Sequence, residues 1–384
     1  MIPRNLFLNI LKFCYEYPPL GGGGGHVAAG LSDQLSRMGH RVDLVTMRYK
    51  GLKAIERKKG LTIHRVPCIR QNLLVCHPHE MLSYLCMALP KALQLLRRNP
   101  HDIIHAHFIF PDGLLAMLAS KISGLPFIIT SHGSDVPGFN PDRFVIWHKM
   151  LRPAWKMILS ECNQLVCLSR YIEFLLKAAM PDANTVIIPN GFSVGRFRTS
   201  RFPKKIILVV TRMFKRKGVQ HLLKAVEGMP IGDYEIHIVG DGPYLKDLKL
   251  QAESMNTSVR FHGYVPNDSD FFRDLMERAA IFVFPSESDN FPMVLLEAMD
   301  AGLAIITTRN TGCEEVVGNA ALLTDPGDVV GLRDALRTFI ENPSLRLKFS
   351  ESARNRLDEN FNWPVVAGRY VDIYRRVILK RGMN

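Results

Sequence analysis

A chain of 384 residues exceeds the size at which one hydrophobic core keeps growing, so two domains are expected, and a 47% apolar, 22% charged composition excludes a disordered chain. The net charge of +13 is lopsided: residues 1–198 carry 24 Lys/Arg against 12 Asp/Glu, residues 199–384 carry 25 against 24. Seven cysteines, odd in number and without a C-x-x-C pair, argue for reduced thiols in a cytoplasmic protein over a disulfide framework or zinc site.

Short apolar runs alternate with helical patterns from end to end, as in parallel sheets flanked by helices. The first series predicts strands at 8–14, 41–46, 62–66, 102–105, 126–130, 164–168 and 185–188. Helices are predicted at 26–38, 80–98, 112–122, 142–158 and 169–178. Lys12 and Asn9 interrupt the apolar stretch of the first strand, no small-residue cleavage site follows it, and it does not read as a signal peptide.

That strand leads into Tyr17-Pro18-Pro19-Leu20 and five glycines, Gly21 to Gly25, with His26 expected to open the next helix. Glycines at a strand-to-helix turn let the backbone approach a ligand, and a helix N-terminus offers N–H groups to an anion. Formally, Gly23-x-Gly25-x-x-Ala28 matches the dinucleotide fingerprint, with Asp43 20 residues beyond Gly23. An NAD-dependent oxidoreductase is therefore one reading, and a plain flexible turn another. The glycines alone do not decide.

Further along, His105 and His107 fall on one face of a strand, but no third ligand is placed beside them and no metal is expected. At the end of a later strand, Thr130-Ser131-His132-Gly133-Ser134-Asp135 sets His132 where a polar ligand is commonly met, although a lone histidine is often structural. The pattern breaks at 189–203 into PNGFSVGRFRTSRFP, which reads as a linker. A second series follows, with strands at 204–210, 234–239, 258–261, 280–284 and 304–307. The domains expected are 1–192 and 193–364, with a closing amphipathic helix, 365–384, packing back on the first.

In the second series Arg212 and Lys217 sit on the loop after the first strand, where they suit a diphosphate, although a solvated basic run is the blander reading. The most informative stretch is Pro285 to Met299, which starts at a strand end and continues into a helix. Asp289 lies in the loop and Glu297 one to two turns into the helix. Between them, the N–H groups of Phe291 to Val294 would face phosphate or sugar oxygens. A carboxylate among Val294, Leu295, Leu296, Ala298 and Met299 needs a polar partner, and a ribose hydroxyl pair would supply one.

Together these motifs resemble the retaining glycosyltransferases of the GT-B fold, family four, which includes many bacterial cell-surface polysaccharide enzymes. The resemblance runs through the loop at 18–25, HGSD at 132–135, PNG at 189–191, Arg212 and Lys217, VGDGP at 239–243, HGYV at 262–265 and the acidic pair at 289 and 297. It implies two Rossmann-like domains with parallel sheets facing each other across a cleft, and a UDP- or GDP-sugar donor used without a metal ion. It also implies that Arg212 and Lys217 hold the diphosphate and Glu297 the ribose. Gly240 and Gly263-Tyr264-Val265 would frame the nucleotide, Asn290, Phe291, Pro292, Met293 and Val294 would contact diphosphate and sugar, and His132 and Asp289 would contact the transferred sugar. Gly22, Gly23 and Gly24 would line the junction of donor and acceptor. Two positions depart from the family's pattern: Asp289 stands where Glu is usual, and Ser193 where many relatives carry Asp.

A nucleotide-sugar epimerase of the same fold is the nearer alternative, and the oxidoreductase reading leaves Arg212, Lys217 and the 289–297 block unused. The basic first half points to a lipid-linked or phosphate-bearing acceptor and to the anionic inner face of a membrane. No run of about 18 uncharged apolar residues is present, so any membrane contact is peripheral. The basic residues are scattered and not interleaved with aromatics, so nucleic acid is not expected.

Overall fold

The apolar runs become strands wherever both faces of the chain can be covered. A computed structural model describes residues 7–73, 75–139, 145–200 and 203–381. The sequence-predicted residues 142–144, 201–202 and 382–384 lie outside these. The chain separates into two compact units, one running to Gly191 and resuming at Trp363, the other spanning Phe192–Asn362.

The first unit contains, in order, β1 (Asn9–Phe13), α1 (Gly23–Arg37), β2 (Arg41–Met47), β3 (Ile55–Lys58), β4 (Leu61–Val66), α2 (Pro78–Arg98) and β5 (Ile103–His107). It continues with α3 (Leu114–Ser123), β6 (Phe127–Thr130), α4 (Val145–Glu161), β7 (Gln164–Cys167), α5 (Arg170–Ala179) and β8 (Thr185–Ile187). The sheet order is β3-β4-β2-β1-β5-β6-β7-β8. All neighbours are parallel except β3, which pairs antiparallel with β4 at the edge. The sequence reading missed β3 because IERK carries no apolar run: only an edge strand leaves such residues in water.

The second unit contains β9 (Ile206–Val210), α6 (Val219–Val226), β10 (Glu235–Val239), α7 (Leu245–Glu253), β11 (Val259–Gly263), α8 (Asp270–Arg278) and β12 (Ile281–Phe284). Then come α9 (Met293–Ala301), β13 (Ala304–Thr308), α10 (Gly312–Val317), β14 (Leu322–Thr324), α11 (Val329–Glu341) and α12 (Pro343–Asn360). Its parallel sheet has the order β11-β10-β9-β12-β13-β14. The central strands IILVV and IFVF are buried on both faces and so read as unbroken apolar runs.

In both sheets the strand order reverses beside the first strand, between β1 and β5 and between β9 and β12. Ligands of such sheets bind at the carboxyl ends of the strands at this switch point. The last helix, α13 (Trp363–Arg381), belongs to the first unit. Val366, Tyr370, Ile373, Tyr374 and Val377 of α13 enter a core with Ile10, Leu31 and Val166. Gly30 and Gly191 are required beneath it, since a Cβ at either would meet the Trp363 ring at 2.2 Å.

Candidate active site

At the switch point of the first unit, the turn after β1 folds around Glu16. Helix α1 opens at Gly23, three residues earlier than His26, because Gly24 and Gly25 pack where no side chain fits. A Cβ on Gly25 would lie 1.9 Å from the Glu16 carbonyl oxygen, and one on Gly24 would lie 2.5 Å from Phe108 Cζ and 3.0 Å from His132 Cγ. Gly22 and Gly23 are exposed at the helix N-terminus, with open space where a Cβ would stand, and the Gly22 N–H donates to the Glu16 carboxylate. Burial raises the Glu16 carboxyl, partly offset by Arg70, whose guanidinium lies 3.8 Å away.

The glycine turn and His132 are therefore neighbours. Asp135 fixes that histidine's loop by accepting hydrogen bonds from the Ser131 hydroxyl at 3.0 Å and from the N–H groups of His132, Gly133 and Ile109 at 3.1, 3.0 and 2.8 Å. His132 Nε2 lies 3.0 Å from His107 Nδ1. His105 bonds Tyr374 at 2.7 Å and Thr130 at 2.8 Å, so both of its ring nitrogens have protein partners. Among the described residues no cluster of three or more His, Cys, Asp or Glu is suited to a metal ion.

Beneath this cluster lies Lys12, fully buried, donating to Ser32 Oγ at 2.9 Å. Burial lowers its ammonium to about 7. Burial, and then Lys12, depress His105, His107 and His132, leaving neutral imidazoles at neutral pH. The dinucleotide reading fails here. Asp43 sits near the amino end of β2, away from the glycine turn, and is held by His64 at 2.9 Å and His101 at 3.1 Å.

The second unit assembles its loops at the carboxyl ends of β9, β10, β11 and β12. Gly240 passes so close to the loop after β9 that a Cβ would meet the Thr211 carbonyl oxygen at 1.7 Å, and its N–H bonds the Gly263 carbonyl at 2.7 Å. Met213 donates to the Asp241 carbonyl at 2.9 Å. Arg212 is exposed on this platform, its guanidinium 5.5 Å from the Phe214 ring centre. Exposed Tyr264 and half-buried Val265 follow Gly263.

Lys217 and Asp289, 72 residues apart in sequence, meet at 2.5 Å, and Asp289 also accepts from Ser286 Oγ at 2.7 Å. The left-handed Gly218, at φ +73°, allows the approach, because its α-carbon rides against the Pro285 carbonyl. Asn290 and Phe291 are buried, and Pro292 caps α9, whose first residues are Met293 and Val294. Gly312 backs this loop, with its N–H on the Asp289 carbonyl at 2.9 Å.

Glu297 is buried on α9, and its partner comes from the same chain: Arg196 Nη1 lies 2.7 Å from Oε1, and Asn267 donates to the same oxygen at 3.4 Å. Burial raises the Glu297 carboxyl and Arg196 pulls it back. Asp300, one turn further, accepts from the N–H groups of Gly195, Arg196 and Phe197 and so holds Arg196 in register. From the sequence a ribose is the partner expected for Glu297 and Arg196 reads as linker, because its partners are about a hundred residues away. In the sequence Lys12 is only an interruption of an apolar run, and Glu16 and Phe108 carry no motif.

Two family models cover most of the chain. Residues 21–196 match "Glycosyltransferase Family 4" and residues 196–356 match "Glycosyl transferases group 1". The chain belongs to this glycosyltransferase family. The transferase is 24% identical to N-acetyl-alpha-D-glucosaminyl L-malate synthase of Bacillus anthracis, over 95% of this chain and 96% of that one. It is 25% identical to the phosphatidylinositol N-acetylglucosaminyltransferase gpi3 subunit of Schizosaccharomyces pombe, over 96% and 81%. In fold it is similar to Anabaena Alr3699/HepE, solved in complex with UDP and glucose, at a TM-score of 0.72 and 18% identity over 95% and 99% of the chains. The transferase thus has the GT-B fold.

Proposed function

We propose that this glycosyltransferase moves a sugar from a nucleoside diphosphate carrier, UDP or GDP, to a lipid-linked or other phosphate-bearing acceptor, with retention of configuration. The observation that carries the reading is the Lys217–Asp289 pair at a switch point whose neighbouring loops are tied by backbone hydrogen bonds. Lys217 is buried, and a diphosphate entering beside it would share or take over its charge from Asp289. Asp289 would then be released toward the sugar hydroxyls. Arg212 supplies the forked donors and the first turn of α9 its N–H groups, so the charge that develops on the leaving phosphate meets fixed cations without a metal ion. With Arg196 on one oxygen of Glu297, the other remains for the ribose.

The UDP bound by the Anabaena protein supports a nucleotide donor, and the phosphatidylinositol in the name of the yeast relative supports a lipid-linked acceptor. In the first unit, neutral His132 and the exposed start of α1 at Gly22 and Gly23 would meet the transferred sugar and acceptor. Transfer releases free nucleoside diphosphate only when acceptor is present, whereas an epimerase releases none. Release measured with and without a lipid phosphate acceptor tests the reading, and acceptor-independent epimerisation without release would replace it.

A further inference from the structure

Behind Phe108 the first unit holds a cavity of about 390 Å³, walled by Tyr15, Met81, Leu82, Phe110, Leu151 and Trp155. Its size falls in the range of roughly 300–1,000 Å³ found for small-molecule sites. Nothing in the diphosphate chemistry uses it. We infer that this cavity takes the hydrocarbon chain of a lipid phosphate acceptor, an inference that rests on the transferase reading above and names its acceptor class.

Three observations converge. Phe108 is shared between cavity and site: its ring centre lies 5.1 Å from Tyr15 and 4.7 Å from His132. It does so at φ +80°, a strained conformation for a non-glycine residue, of the kind that collects at functional sites. An apolar chain seated there ends beside the histidine and the glycine turn.

The opening lies between α2 and α4 and is apolar. Leu82 lines the cavity yet is 58% exposed, and Val75 and Met150, chain neighbours of the lining residues Cys76 and Leu151, are exposed too. Water is a poor solvent for that rim, and a lipid surface a good one.

Charge complements the apolar rim. On α4, Leu151 and Trp155 face the cavity while Arg152 and Lys156, each one residue further on, are exposed. Exposed cations next in the chain to lining residues suit an anionic lipid surface from which the hydrocarbon enters, its phosphate end directed toward His132 and the glycine turn. A hydrophilic acceptor would leave both the cavity and its rim without a role.

The test uses full-length protein with dodecyl phosphate below its micelle concentration, butyl phosphate and inorganic phosphate, read by tryptophan fluorescence, since Trp155 lines the cavity. Each buried methylene contributes roughly fourfold in affinity. Dodecyl phosphate is expected to bind at least ~100-fold more tightly than butyl phosphate, and Leu82→Glu to weaken it at least ~10-fold. Equal affinity for the two chains, or full dodecyl phosphate affinity in Leu82→Glu, would overturn the inference. UDP and GDP binding to the same wild-type sample separates the two levels: nucleotide binding with no chain-length dependence rejects the cavity alone, and loss of nucleotide binding rejects the transferase reading beneath it.

Discussion

Lys12 is an ammonium side chain held in a fully buried environment. A lysine in the unfolded chain titrates near 10.5 and this one near 7, so between those values the unfolded chain holds the extra proton. Unfolding then takes up a proton, and stability rises with pH across that window. From pH 7 to 8.5 the gain from Lys12 alone is about 1–2 kcal/mol. Urea unfolding of wild type and Lys12→Met at the two pH values should show that difference in wild type and its absence in the variant. An identical pH dependence would mean that burial does not depress the titration of Lys12. The sequence displayed this lysine without its meaning: only the parallel pairing of β1 with β5 sets it opposite His105.

At the scale of the element, the glycine turn separates folding from function. Gly25 cannot accept a side chain, because its α-carbon rests on the Glu16 backbone. Gly25→Ala should therefore lower the stability of the protein by about 2 kcal/mol or more. Gly23 has open space around it inside α1, and alanine is the better helix former there by about 0.5–1 kcal/mol. Gly23→Ala should leave the melting temperature unchanged or slightly raised while slowing transfer, since its Cβ would stand where a ligand meets the exposed start of α1. Unchanged transfer in Gly23→Ala would remove the turn from the site.

The turn also shows what sequence alone conveys. The glycines and their position after β1 are legible, but the helix start is not, since glycine is a poor helix former and only the close approach of Gly24 to Phe108 and His132 and of Gly25 to the Glu16 backbone fits this stretch into α1. The strands β9 and β12 were legible as apolar runs buried on both faces, whereas β3 and the three-residue β14 were not. Of the candidate site, Lys217 and Asp289 were readable as types at strand ends. Their direct pairing was not, because 72 residues separate them. Glu297 was readable as a buried acid in need of a partner, and its partner Arg196 stood in a segment with no periodicity to mark it.

At the scale of the whole molecule, the two halves of the sequence differ in charge more than in architecture. The excess of +12 over residues 1–198 against +1 over 199–384 sets a basic field on the half that carries the apolar cavity. Among the described residues no helix is long and apolar enough to cross a membrane. Electrostatic adsorption to anionic lipid is then the expected mode, and it weakens as salt shortens the screening length from about 30 Å at 0.01 M to about 3 Å at 1 M. The protein should sediment with anionic vesicles at low salt and leave them at high salt. Equal binding to neutral vesicles would contradict that account of the charge.

The most direct test of the central claim, that the second unit's strand-end loops neutralise a nucleoside diphosphate through Lys217, is calorimetric titration of UDP and GDP into wild type and Lys217→Ala. One nucleotide should bind wild type, and the variant should lose at least ~10-fold in affinity while still melting cooperatively, at a temperature lowered by the loss of the buried pair with Asp289. Full nucleotide affinity in Lys217→Ala, or binding of NADH in place of either nucleotide, would contradict it.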